Sequence, residues 1–447
     1  MPNNLKHMKK DKQLPQITLV SIDCINPEMA TEALKISSKH IRFSDVLLLS
    51  NERPFNCPNE ISFQQISKIS NIHEYNTFIL NNLNKYIKTD FCLIIQADGF
   101  ISNHNKWSDR FLNYDYVGAP WPSNRWFNFN KPEKYRVGNG GFSLRSKKLL
   151  NLTPNLPLYS NEDVVICVAS RELLENAGVK IAPLEIAKYF AQEEYCEDLN
   201  VDVNTDCFGF HGKNLTSFNR QKLKELAFEF YKSCLIQMPK KRLVEFLRNE
   251  VGVSDANYFD ANFVGNLEVQ QIPEEYCNLL TFFKNTDIKT YLELGVANGG
   301  SFFVNSIFMQ QSASIIHCVD CLTYKDFSHI KQTDVKILNK VNRLKQFFPE
   351  KEFNFFNSTT DDFFDQNTLT YDCIFIDADH SYDGVMKDYK NSLRFVNKPG
   401  YLIFHDISNT NTGVAQCWNE VSKLHKIEAE YKHPYNNNCG IGILSIA

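Results

Sequence analysis

The chain has 447 residues and a formal net charge of −4. That is long enough for two or three separate cores and too acidic for a general nucleic-acid binder, which needs a basic surface. No apolar run approaches the roughly 18 residues of a membrane span, and the polar, basic start lacks the apolar segment of a signal peptide.

Residues 1–16 are expected to be a flexible lead. Residues 17–23 (ITLVSID) form an apolar run ending in Asp23, and a helix is expected from Pro27 to His40. Residues 45–50 (DVLLLS) predict the next strand, and Asn71 to Lys88 has a helical apolar period. A third strand, FCLII at 91–95, runs into Gln96, Ala97 and Asp98. This alternation predicts an α/β layer with a largely parallel sheet, whose ligand crevice lies beyond the carboxyl ends of its strands. Asp98 is placed to hold a divalent ion (Mg²⁺ or Mn²⁺) against a diphosphate. Downstream, YVGAPWP predicts a rigid turn carrying Trp121 as an aromatic platform. VGNGGFSLRS follows, with Asn139, Gly140 and Gly141 as substrate-binding candidates. Glu162 and Asp163 follow as a polar pair, and His211 is a candidate metal ligand or a turn histidine.

From Phe218 to Asn249 the chain turns rich in Lys, Arg, Glu, Leu and Phe, interrupted by Pro239. Two helices are expected within a linker spanning 218–271. Packing between domains is the expected role of these mildly basic amphipathic helices, with peripheral docking on a membrane as the alternative.

A second αβ pattern begins near Ile272. Thr290-Tyr291-Leu292 runs into Glu293, Gly295 and the turn Asn298-Gly299-Gly300, where glycine admits a ligand to the main chain. The strand from Ile315 to Val319 ends at Asp320, which can accept bonds from both hydroxyls of a ribose. Ser358 follows the strand FNFF at 353–356 and suits an adenine-side contact. The strand YDCIFI at 371–376 delivers Asp377, Asp379 and His380, and the one from Gly400 to Phe404 delivers His405 and Asp406. Asp377 and Asp406 can share an octahedral Mg²⁺-type ion, and His380 can reach the same acceptor hydroxyl as general base. A dinucleotide-dependent dehydrogenase competes on the first two strand ends alone. The 13 cysteines scatter singly. Cys318 and Cys321 have no second pair, so buried thiols are expected. Reduced thiols without a leader point to the cytoplasm, with the inner face of the membrane as the site of any docking.

The motifs LELGVANGG, HCVD, IFIDADHSYDGVMKDY and GYLIFHD resemble the class I S-adenosylmethionine-dependent methyltransferases, in particular sugar O-methyltransferases and cephalosporin-hydroxylase-like proteins. The resemblance implies a Rossmann-like sheet with a reversed terminal hairpin over 272–447. Glu293, Gly295, Asn298, Gly299, Asp320, Ser358 and Asp377 would hold the cofactor, Asp377 and Asp406 a metal, and His380 would be the base. His405 departs from the Glu or Asp usual at its position. YVGAPWP, VGNGGFSLRS, NEDVVIC and APLEIAKYF resemble a glycosyltransferase-like family of the GT-A type over 17–217. It implies a nucleotide-sugar donor, a glycan acceptor, Asp98 and His211 at the metal, and Asp163 or Glu162 as base. Gln96 departs from the Asp of the familiar pattern.

The expectation is therefore two tandem Rossmann-like domains joined by helices, forming a bifunctional enzyme that adds a sugar and methylates a glycan hydroxyl. The alternatives make the first domain a phosphotransfer or nucleotidyl-transfer module, or a non-catalytic glycan-recognition domain. Oligomeric state is not legible in the sequence.

Overall fold

The structure, a computed structural model, describes residues 12–201, 206–212, 230, 234–250, 269, 271–321, 333–433 and 436–447. The chain divides into two compact units, the first ending at Phe230 among the described residues.

The first unit carries β1 (Lys12–Ile22), β2 (Ile41–Ser50), β3 (Ser62–Gln65), β4 (Phe91–Ile95), β5 (Tyr116–Val117) and β6 (Ser143–Ser146) in the order β3-β2-β1-β4-β6-β5. β1 pairs in parallel with β2 and β4, while β6 runs antiparallel to β4. Alternation along β1 builds two layers, because successive side chains face opposite sides of a sheet. Ile17 and Leu19 pack with Ala30, Ala33 and Leu34 of helix Pro27–Ser38. Val20 and Ile22 pack with Ile79 of helix Ile72–Asn81 on the other side. Strand order reverses beside β1, so Asp23 and Asp98 lie at the switch point, where open α/β sheets bind ligands. The lead expected over 1–16 is strand from Lys12 onward; residues 1–11 lie outside the described ones. A short parallel pair, β7 (Ala191–Gln192) and β8 (Gly209–Phe210), completes the unit.

In the second unit β9 (Thr290–Leu294), β10 (Ile315–Asp320), β11 (Glu352–Asn357), β12 (Tyr371–Ile376), β13 (Val396–His405), β14 (Lys426–His433) and β15 (Asn436–Ile446) form one sheet, β11-β10-β9-β12-β13-β15-β14. The first five are parallel and β15 is antiparallel to both neighbours. This is a Rossmann-like sheet with a reversed terminal hairpin. Leu292, Leu294, Ile374, Ile376, Leu402 and Phe404 make one face of its core.

Most of the linker expected over 218–271 lies outside the described residues. Helix Lys240–Glu250 is described, and Leu243 and Leu247 on its apolar stripe are buried. It lies beside helix Pro273–Asn285, where Lys240 donates to the Asn278 side chain. The membrane-docking alternative is corrected for this helix, because the face it needs is already covered. Among the described residues no helix is long and apolar enough to cross a membrane.

Candidate functional site

In the first unit the turn after β4 places Asp98 beside His211, which follows β8. His211 Nε2 stands 3.4 Å from Asp98 and 3.0 Å from Gln96 Oε1, and its Nδ1 stands 3.2 Å from Glu193. Burial disfavours the cation, but Asp98 and Glu193 raise the His211 pKa to about 10. Opposite ring nitrogens thus face two carboxylates. The fold brings together Asp98 and His211, the pair expected to hold a metal.

Packing gives the remaining candidates partners of their own. Glu162 accepts both arms of the Arg145 guanidinium at 2.7 Å; the two side chains are 4% and 0% exposed, so Glu162 has no free oxygen to act as base. Asp163 accepts the N–H groups of Gly140 (3.0 Å) and Val164 (2.8 Å). Burial first, then Glu162 and Glu193, pushes its pKa to about 7. Trp121 is buried rather than an open platform, and its ring fills the space a side chain at Gly138 would need. Gly140 and Gly141 are buried too. A Cβ would lie 1.8 Å from Glu162 at Gly140 and 2.1 Å from His211 at Gly141. These glycines make room for the protein's own acid and imidazole, not for a ligand. Asn139 is buried in the left-handed region at φ 62, and its Nδ2 has no partner. Gly141→Ala should therefore release His211 from its seat, read by NMR as a fall of the imidazole pKa toward its ordinary value. An unchanged titration would show that the ring does not depend on that glycine.

In the second unit Glu293, one residue before the end of β9, is fully buried. It accepts from Tyr291 (2.7 Å), Asn305 (3.1 Å) and the Ser301 hydroxyl, and burial pushes its pKa to about 7. Direct cofactor contact by Glu293 is corrected: it ties the strand to helix Gly300–Phe308. Gly295 is required twice over. Its φ is 79, and a Cβ would lie 2.2 Å from the Asp377 carbonyl. Gly299, also at φ 79, caps the helix, and the Asn298 carbonyl accepts from Lys340 at 2.8 Å. Asp320 Oδ2 accepts from Val296 (2.7 Å) and Ala297 (2.8 Å), so it shapes the turn as well as facing outward. Ser358, whose N–H donates to the Asp320 carbonyl at 3.2 Å, keeps a buried hydroxyl without a partner.

Asp377 and Asp406 meet through His380. Nε2 of His380 is 3.3 Å from Asp377 and Nδ1 is 3.4 Å from Asp406, and the His380 side chain is 42% exposed. The bond to Asp377 raises the His380 pKa. His405 Nδ1 lies 3.0 Å from Asp377 Oδ1, while Gln271 donates to Oδ2 at 3.2 Å. Burial works against the charge on His405, but Asp377 lifts its pKa to about 9. Two carboxylates thus face two imidazoles. Mg²⁺ needs a near-octahedral set of oxygens. Here both Asp377 oxygens are taken, and an imidazole stands where a further oxygen donor belongs. The divalent ion expected on Asp377 and Asp406 does not fit. Asp379 accepts from the N–H of Ser381, whose own side chain caps helix Tyr382–Phe395. Glu193 and Gln271 carried no motif in the sequence and join their clusters only through the fold.

The second unit is thus an open α/β sheet with a glycine turn after β9, Asp320 and Asp377 at strand ends and His380 beside the switch point. Residues 292–407 match a family described as a methyltransferase domain. Residues 59–211 match a family described as a protein of unknown function, DUF5672. An uncharacterized protein of Acanthamoeba polyphaga mimivirus is 28% identical over 137 residues, 29% of this chain and 56% of that protein. The chain thus spans little more than half the length of that curated relative. Among solved structures, an O-methyltransferase from Bacillus cereus in complex with SAH is 13% identical, with 49% of this chain and 97% of that chain covered and a TM-score of 0.33. The O-methyltransferase TomG from Streptomyces achromogenes, in complex with SAM, is 12% identical, with 49% and 95% covered and a TM-score of 0.31.

Proposed function

We propose that the chain is an S-adenosylmethionine-dependent O-methyltransferase whose first unit holds a sugar-bearing acceptor without transferring sugar. The observation that carries the reading is His380, exposed at a strand end between Asp377 and Asp406 and beside the Gly295 turn. S-adenosylmethionine supplies an electrophilic methyl group. The chain's own task is to take the proton from the acceptor hydroxyl as the O–C bond forms. Neutral His380 does this: one ring nitrogen keeps its N–H on a carboxylate, and the other leaves its loosely held partner to accept the proton. The carboxylates then stabilise the imidazolium. Support for the cofactor comes from Asp320, the Gly295 turn and the partnerless Ser358 hydroxyl at neighbouring strand ends.

Recognition rather than sugar transfer is favoured in the first unit by the state of its acids. Glu162 is consumed by Arg145, and Asp163 holds the GNGG turn. Release of a nucleoside diphosphate from any sugar nucleotide would restore the bifunctional reading.

Asp320→Asn tests the cofactor site and keeps one acceptor for the turn. A hydrogen bond to a charged group contributes roughly 1.5–3 kcal/mol, so calorimetric affinity for S-adenosylmethionine should fall about ten-fold or more. Wild-type affinity in the folded variant would remove Asp320 from the site.

A further inference from the structure

His405 has two faces. Its Nδ1 turns to Asp377 at 3.0 Å. Its Nε2 is buried without a partner, on a residue 8% exposed. Around that second nitrogen stand Glu275, from the first turn of helix Pro273–Asn285, and Cys439, from β15. One ligand atom from each of the three residues lies within 4.8 Å of the others. Glu275 is 2% exposed; its Oε1 accepts from the Gly440 N–H at 3.3 Å, but its Oε2 is buried and unpartnered. A buried polar atom without a partner is costly, and here two of them point into one cluster with a thiol.

We infer that Glu275, His405 and Cys439 form a transition-metal site of the Zn²⁺ class, behind the strand ends that carry His380. The donor set is one carboxylate oxygen, one imidazole nitrogen and one thiolate, which suits a borderline-soft ion and not Mg²⁺. Zn²⁺ bonds of about 2.0–2.3 Å in a tetrahedron set ligands roughly 3.3–3.8 Å apart, so the three side chains need close by only about an ångström. The fourth position falls to water. The far side of the ring is already built for this role. An Nδ1–H donating to Asp377 fixes the tautomer that leaves Nε2 as a lone pair, the carboxylate–histidine–metal arrangement. On binding, the Cys439 thiol proton and any proton on Nε2 pass to solvent, and the cation offsets the charge of Glu275, Asp377 and Asp406. His405 thereby ceases to be an imperfect replacement for an oxygen ligand and becomes the shared wall between two sites. The ion would lock the His405 ring, and through it the Asp377 carboxylate that positions His380.

The test uses the full chain, stripped with chelator and reloaded with Zn²⁺ or Co²⁺. The wild type should retain one Zn²⁺ per chain through desalting. The Co²⁺ form should show tetrahedral d–d bands and a thiolate-to-metal charge-transfer band. Cys439→Ser should abolish the charge-transfer band, and it and Glu275→Gln should each weaken binding by at least the about 10–100-fold typical of losing even an outer partner. Near-UV circular dichroism of the metal-free variants guards against misfolding. His380→Ala, which removes the proposed base and leaves all three metal ligands in place, should keep the charge-transfer band. This separates failure of the metal site from failure of the methyl-transfer reading. Absence of retained metal overturns the inference, as does a Co²⁺ spectrum unchanged by Cys439→Ser. Loss of metal in His380→Ala alone also overturns it, by moving the ion to the other face of His405.

Discussion

His380→Ala is expected to lower kcat for methyl transfer by about 10²–10⁴-fold, the usual range for a lost general base, with S-adenosylmethionine affinity within a few-fold of wild type. The split follows from position. His380 lies past the end of β12 on the exposed side of Asp377, while the residues proposed for the cofactor cluster on β9, β10 and β11. Stopped turnover with intact cofactor binding supports the base. Equal losses in both would make it a structural residue, and undiminished turnover would dismiss it. The pH profile adds a readout that a packing role would not move. Only the neutral ring can accept a proton. Its pKa is raised above 6.5 by the bond to Asp377 first and by Asp406 as well, so the rate should climb as pH rises through that elevated value. Asp406→Asn removes one supporting charge and should shift the climb to lower pH. The same shift bears on stability with the opposite pH sense. The charged ring stabilises the fold fully below its unfolded pKa, and that contribution is lost as pH rises through the folded one.

Arg145→Met should destabilise the first unit by about 3–5 kcal/mol, the range for breaking a buried ion pair by removing one partner. The loss exceeds the strength of two hydrogen bonds because Glu162, 4% exposed, is left charged with no compensation. Chemical denaturation of the full chain reads it in the transition that S-adenosylmethionine does not raise, since a ligand stabilises the unit that binds it. The double variant Arg145→Met with Glu162→Leu should recover most of the loss, because replacing both charges with apolar groups leaves nothing stranded. Wild-type stability in the single variant would mean that the pair does not form. It would also return Glu162 to the list of available bases.

Much of the second unit was legible in the sequence. Its parallel strands are near-continuous apolar runs, and each ends where a polar group begins, so local pattern alone fixed YDCIFI as strand and Asp377 as its tip. Gly295 was legible for the same local reason, a strand-to-helix turn that needs a positive φ. The boundary errors lie where pairing extends a strand beyond its apolar stretch, as in β1, which begins at Lys12 beside Ile41.

What the sequence by itself determined is this: two α/β units, the order of their strands' polar ends, and the residues offered to a methyl-transfer site. What only the tertiary structure decided is which of those residues remain available. Glu162 and Glu293 carry the same carboxylate as Asp377, yet burial commits one to Arg145 and the other to Tyr291, Ser301 and Asn305. The GNGG glycines read as ligand clearance and serve as clearance for Glu162 and His211. His405 gains Glu275 from a helix about 130 positions earlier and Cys439 from the terminal hairpin. Spacing along a chain cannot encode such meetings, because a side chain's chemistry is fixed by its type but its partners and dielectric are fixed by packing.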